Sequence, residues 1–201
     1  MPDLLVSQFQ ASSILELTAV IFAIAYLLLA VKENILCWYA AFISTAIFLL
    51  IFWQVKLYME SGLQVYYLAM AVYGWYQWTR GGTQQSGITI STWPIEKHLL
   101  ALATVLIATM VSGYLLSENT DARLPYLDSF TTWASIVTTY MVAKKVLENW
   151  IYWFVIDSVS IFLYLHRELY FTALLFAAYI IIVVFGFATW FKQYRLEPVN
   201  P

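Results

Sequence analysis

The chain has 201 residues, 62% hydrophobic and only 11% charged, with a mean hydropathy of +0.74. Those values exclude an ordinary soluble domain and define an all-α membrane protein. The formal net charge is −2 and no basic patch is present, so no nucleic-acid partner is expected.

One cysteine, Cys37, cannot close a disulfide within the chain. The first Lys or Arg, Lys32, follows the first apolar run, the wrong order for a removable signal peptide. Seven apolar runs predict seven transmembrane helices, at 14–31, 35–55, 61–79, 99–117, 129–143, 149–166 and 169–191. A polar connector, 80–97, carries Gly81-Gly82 and Pro94, and an acidic loop spans 118–128. With the N-terminus outside, seven Lys and Arg fall on the cytoplasmic side (Lys32, Arg80, Lys97, Lys144, Lys145, Lys192, Arg195). Only three, Lys56, Arg123 and Arg167, fall outside, which predicts N-out and C-in.

The chain resembles itself. Glu33-Asn34 and Trp38 match Glu148-Asn149 and Trp153. After a three-residue shift, Leu57-Tyr58 matches Leu169-Tyr170, Tyr67 matches Tyr179, Tyr73-Gly74 matches Phe185-Gly186 and Trp78 matches Trp190. This register pairs Asp157 with Phe42, with Ser44 and Thr45 close by in the first repeat. Two three-helix units follow, parallel because helix 4 intervenes, a 3+1+3 arrangement. The expected division is 1–80 and 129–201 as the units, with 81–128 as linker and inverting helix. Parallel repeats are a transporter construction, with substrate held between the halves near mid-membrane.

Between Glu148 and Arg167 the one carboxylate is Asp157, half-way along an apolar run. Insertion there costs about 2.5–3.5 kcal/mol, so it is expected to face the interior and have a partner or a task. Asn149, Trp153, Asp157, Ile161 and Tyr164 share one helical face at spacings of three and four. A carboxylate beside indoles and phenols receives a flat cation, each cation–π contact contributing about 0.5–2 kcal/mol. Tyr66, Met70, Tyr73 and Gln77 line helix 3 at similar spacing, and Trp38 and Thr45 of helix 2 join the expected substrate-binding set. Each has a plainer reading. On that reading Asp157 bonds a neighbouring Thr or Tyr, Trp153 only packs, Asn149 caps helix 6, and Glu148 is a loop residue. Thr and Ser on helix 5 read equally well as glue between helices, and Trp75, Trp78, Trp93 and Trp190 as interfacial belts. No P-loop, HExxH or GxSxG occurs, and His98 and His166 are too far apart to suggest a metal site. No enzyme activity and no cofactor or metal are expected.

The strings VYGWYQWTR (72–80) and KVLENWIYWFVID (145–157) resemble the Pnu family of bacterial vitamin transporters, distantly similar to SWEET sugar transporters. Asn149, Trp150 and Trp153 fit its helix 6 motif; Gly74, Trp75 and Trp78 fit its helix 3 motif. The resemblance implies a multi-pass inner-membrane facilitator, a homotrimer, and a vitamin trapped afterwards by a cytosolic kinase. Ala71 and Asp157 stand where nicotinamide riboside carriers of the family tend to have Asn. That departure favours thiamine as cargo, with nicotinamide riboside the alternative. A membrane receptor or scaffold that binds without transport is the reading from another class.

Overall fold

The computed structural model describes residues 2–54, 58–82, 86–120, 124–166 and 170–196. Among them are seven helices: α1 (Pro2–Val31), α2 (Leu36–Gln54), α3 (Tyr58–Arg80), α4 (Ile95–Asn119), α5 (Pro125–Ala143), α6 (Asn149–His166) and α7 (Tyr170–Leu196). Helices are the form long apolar runs take in lipid, where each backbone amide must be satisfied within its own segment. Four of the described segments, 14–31, 36–54, 95–119 and 173–196, are long and apolar enough to cross a membrane by themselves.

Several helices outrun the apolar stretches that announced them. α1 begins at Pro2 rather than 14, α4 at Ile95 rather than 99, α5 at Pro125 rather than 129, and α7 ends at Leu196 rather than 191. Hydropathy marks the lipid-facing slab, whereas a helix continues until its backbone is capped. Pro94 and Pro125 set two of the starts, because a helix's first residues need no donated N–H. Lys56, Arg123 and Arg167 of the charge count lie outside the described residues, as do Leu57 and Leu169 of the repeat.

The chain forms two compact units, 1–88 and 89–201. In the first, α2 packs against both α1 and α3; in the second, α4 packs on α5, α5 on α6 and α6 on α7. Their internal geometries repeat, in a register that corrects the one expected. Glu33 and Lys145 take left-handed backbone, at φ 51° and 50°. Asn34 N–H donates to Leu29 O and Val146 N–H to Met141 O, both at 2.9 Å. Trp38 lies edge-on to Trp78 with centroids 5.3 Å apart at 86°; Trp150 and Trp190 repeat this at 5.3 Å and 87°. Every pair is 112 positions apart, including Tyr67 with Tyr179 and Gly74 with Gly186. No shift is needed, and Trp38 corresponds to Trp150, not to Trp153. Asp157 therefore corresponds to Thr45, not to Phe42, and Asn149 to Cys37.

Gly74 and Gly186 are required by these indoles. A Cβ at 74 would run into the Trp38 ring, and one at 186 into the Trp150 ring. Trp78 and Trp190, expected as interfacial belts, are buried at 7% and 0% exposure. The glycine one turn earlier opens a notch for the facing indole, and the second tryptophan closes it.

Candidate functional site

α6 presents two different inner faces. Trp153 and Ile156 turn towards α5, where Trp153 packs on the cluster of Val105, Ala134 and Ile156 with Phe130 and Val137. Trp150, Asp157 and Tyr164, seven apart, fall on one line of the helix, since two turns nearly close in seven residues. That line meets α7, which crosses rung by rung. Trp150 sits on Gly186 and Trp190. Asp157 lies within electrostatic reach of Tyr179. Tyr164 meets Phe176 at 5.1 Å between centroids, and Phe176 meets Tyr179 edge-on at 5.5 Å. Of the expected face of Asn149, Trp153, Asp157 and Tyr164, Trp153 packs on the α4–α5 cluster while Asp157 and Tyr164 meet α7.

Asp157 is 3% exposed at the middle of α6 and makes no ion pair among the described residues. It faces protein, as the cost of a charge in hydrocarbon requires. Two turns nearer the helix start, Asn149 is fully buried. Its Nδ2 donates to Val146 O at 2.6 Å, while its Oδ1 accepts no hydrogen bond. A cap would use that oxygen to accept from the first-turn amides, so Asn149 is not one. The Trp150 and Trp38 indole N–H groups are also buried without acceptors. An unsatisfied buried polar atom costs about 1–3 kcal/mol, so these three, two of them on the matched tryptophans Trp38 and Trp150, call for an explanation.

In the first unit, Trp38 and Thr45 are buried on α2, and Trp38 also meets Tyr26 at 6.0 Å between centroids. Tyr66, Tyr73 and Gln77 are half-buried on α3, and Tyr66 lies against Tyr67 at 5.6 Å.

Other residues do different work than expected. Thr131, Thr132, Thr138 and Thr139 of α5 bond carbonyls of their own helix, three or four residues back, instead of gluing helices together. A cross-helix bond of that sort comes from Ser44, which donates to Ala19 O of α1 at 2.8 Å. Glu148 is no idle loop residue: its Oε2 accepts the Trp93 backbone N–H at 3.3 Å, and its Oε1 lies 3.9 Å from His98 Nε2. His98 Nδ1 and the Tyr152 hydroxyl are 2.9 Å apart. Ser91 bridges the α5–α6 turn, its N–H donating to Lys145 O at 3.0 Å and its O accepting from Leu147 at 2.8 Å. These partners are about 55 positions apart in the chain, and no local periodicity announces them. Tyr179 was also missed as a site residue, although the repeat already paired it with Tyr67.

Seven helices in a 3+1+3 order, with a buried carboxylate and orphaned polar atoms inside the second repeat, define the class as a multi-pass membrane transporter. The chain belongs to the family described as nicotinamide mononucleotide transporter, whose sequence model matches residues 13–192. It is similar to the nicotinamide riboside transporter PnuC of Escherichia coli K12, with 28% identity over 83% of this chain and 80% of that protein. It is also similar to the riboflavin/roseoflavin transporter RibM of Streptomyces davaonensis, with 26% identity over 85% of this chain and 81% of the relative. In fold it matches the crystal structure of a vitamin B3 transporter PnuC, with TM-score 0.71, 23% identity and coverage of 96% of this chain and 86% of that one. The Pnu resemblance and the all-helical, seven-helix fold expected from sequence therefore hold. The preference for thiamine does not gain support: the relatives are named for nicotinamide riboside and riboflavin.

Proposed function

We propose that this protein carries nicotinamide riboside across the bacterial inner membrane by facilitated diffusion. The observation that carries the reading is the Asp157 carboxylate, 3% exposed at the middle of α6 and in no ion pair among the described residues. Nicotinamide riboside is a flat pyridinium cation with a carboxamide and a ribose. Asp157 supplies the opposite charge in a dry setting, and Tyr164, Phe176 and Tyr179 supply ring faces alongside it. Asn149 Oδ1 and the Trp150 N–H lie about 12 Å away along α6 at 1.5 Å per residue, an acceptor and a donor for the polar end of the solute. Trp38, Thr45, Tyr66, Tyr73 and Gln77 are proposed as substrate-contacting residues from the sequence pattern, and Trp153 from its place on α6.

The same carboxylate argues against two neighbours of this substrate. A mononucleotide brings a phosphate, which a buried carboxylate repels. Riboflavin is neutral and gains nothing from it. Thiamine shares the cationic ring, but the named relatives favour the riboside. The proposal includes N-out, C-in orientation, a homotrimer, and trapping of the product by a cytosolic kinase.

Equilibrium binding of radiolabelled nicotinamide riboside, thiamine and riboflavin to the purified protein tests the cargo, repeated on Asp157→Asn. Nicotinamide riboside should bind most tightly and lose at least tenfold in affinity in the variant. An unchanged dissociation constant would remove Asp157 from the site, and tighter riboflavin binding would replace the substrate.

A further inference from the structure

A cleft of about 800 Å³ opens on the flank of the second unit, where Ser91, Thr92 and Trp93 pass over the packed pair α4 and α5. It holds none of the α6–α7 residues assigned to the vitamin. Its lining changes character with depth. Lys97 in the first turn of α4 and Lys144 at the end of α5 mark the polar end. Trp93 and Tyr140 follow, with ring centroids 6.4 Å apart. One to two turns deeper the wall is Leu100, Ala101 and Thr104 of α4 and Val137 of α5, the Thr104 hydroxyl donating back to Leu100 O at 2.8 Å. Ala101 is buried, and its small side chain adds little bulk to the wall it shares with Val137.

Ammonium groups, then amphipathic rings, then hydrocarbon is the order of a phospholipid read from headgroup to chain. The neighbouring Glu148 carboxylate faces the Trp93 N–H and His98, and it does not line the cleft. Two cations with no lining carboxylate fit an anionic headgroup and disfavour a cationic solute. We propose that this cleft holds an anionic phospholipid, its phosphate between Lys97 and Lys144 and an acyl chain along Ala101 and Val137.

Native mass spectrometry of the full chain, delipidated in detergent and titrated with phosphatidylglycerol or phosphatidylcholine, tests this. One phosphatidylglycerol per chain should be retained in preference to phosphatidylcholine. Lys97→Ala with Lys144→Ala should cut that retention about thirtyfold, the effect of two cations at an anionic surface. Val137→Trp, which fills the apolar limb and leaves both lysines, should lower it as well. Equal retention by the double variant would overturn the proposal. Displacement of the lipid by glycerol phosphate alone would overturn it in favour of a free phosphate ester. Cross-linking between chains through a cysteine placed at 137 would instead assign the face to a second copy. If the double alanine variant loses its helical circular dichroism, Lys97→Gln and Lys144→Gln singly carry the same readout.

Discussion

A single glycine decides whether each of two tryptophans fits. At 74 and 186 a methyl group would occupy the space of the Trp38 and Trp150 rings, whereas at 62 nothing lies within 4 Å. Gly74→Ala and Gly186→Ala should each destabilise by about 1–3 kcal/mol through overpacking. Gly62→Ala should be neutral or stabilising by up to about 1 kcal/mol, since alanine suits a helix better. Thermal unfolding in detergent checks all three; a Gly186→Ala protein as stable as the parent would refute the notch. Trp153 offers a second test at this scale. Because it packs on Val105, Ala134 and Ile156, Trp153→Phe should lower the melting temperature while changing nicotinamide riboside affinity less than Asp157→Asn does. A larger affinity loss than Asp157→Asn would restore Trp153 to the binding wall. Sequence spacing placed Asp157 in the interior correctly, because only burial makes a mid-membrane carboxylate tolerable. It could not separate Trp153 from Asp157. Residues four apart share a helical face, and only the partner helices reveal which edge of that face each one uses.

At the scale of elements, the short joint between α5 and α6 is held from outside by the connector. Ser91 exchanges two backbone hydrogen bonds with Lys145 and Leu147, and Glu148 receives the Trp93 N–H. Ser91→Pro removes one of these donors. A net backbone bond contributes about 0.5–1.5 kcal/mol, so exchange of the Leu147 amide should accelerate about two- to tenfold. Unchanged exchange would mean that the connector does not brace the turn. Helix number and order were legible in the sequence because apolar runs of about 20 residues have few alternatives. The helix ends were not, since polar first turns such as Glu96-Lys97-His98 belong to α4 while lying beyond its apolar stretch. The repeat was legible and its register was not. Glu33-Asn34 and Glu148-Asn149 look alike as letters, but the left-handed residues Glu33 and Lys145 show which positions share a conformation.

For the whole molecule, the corrected register pairs Asp157 with Thr45 and Asn149 with Cys37, so the second repeat carries the charge and the orphaned amide oxygen. Two similar scaffolds with different interiors suit a solute whose two ends differ. The cargo was the least legible property. A buried carboxylate announces a cation, and more than one vitamin is cationic. The central claim is flux of one such solute, and uptake of radiolabelled nicotinamide riboside into liposomes bearing the purified protein measures it. The account predicts saturable uptake, competed poorly by riboflavin and reduced at least tenfold by Asp157→Asn. Uptake no faster than into protein-free liposomes, with binding intact, would contradict it and leave a membrane receptor in its place.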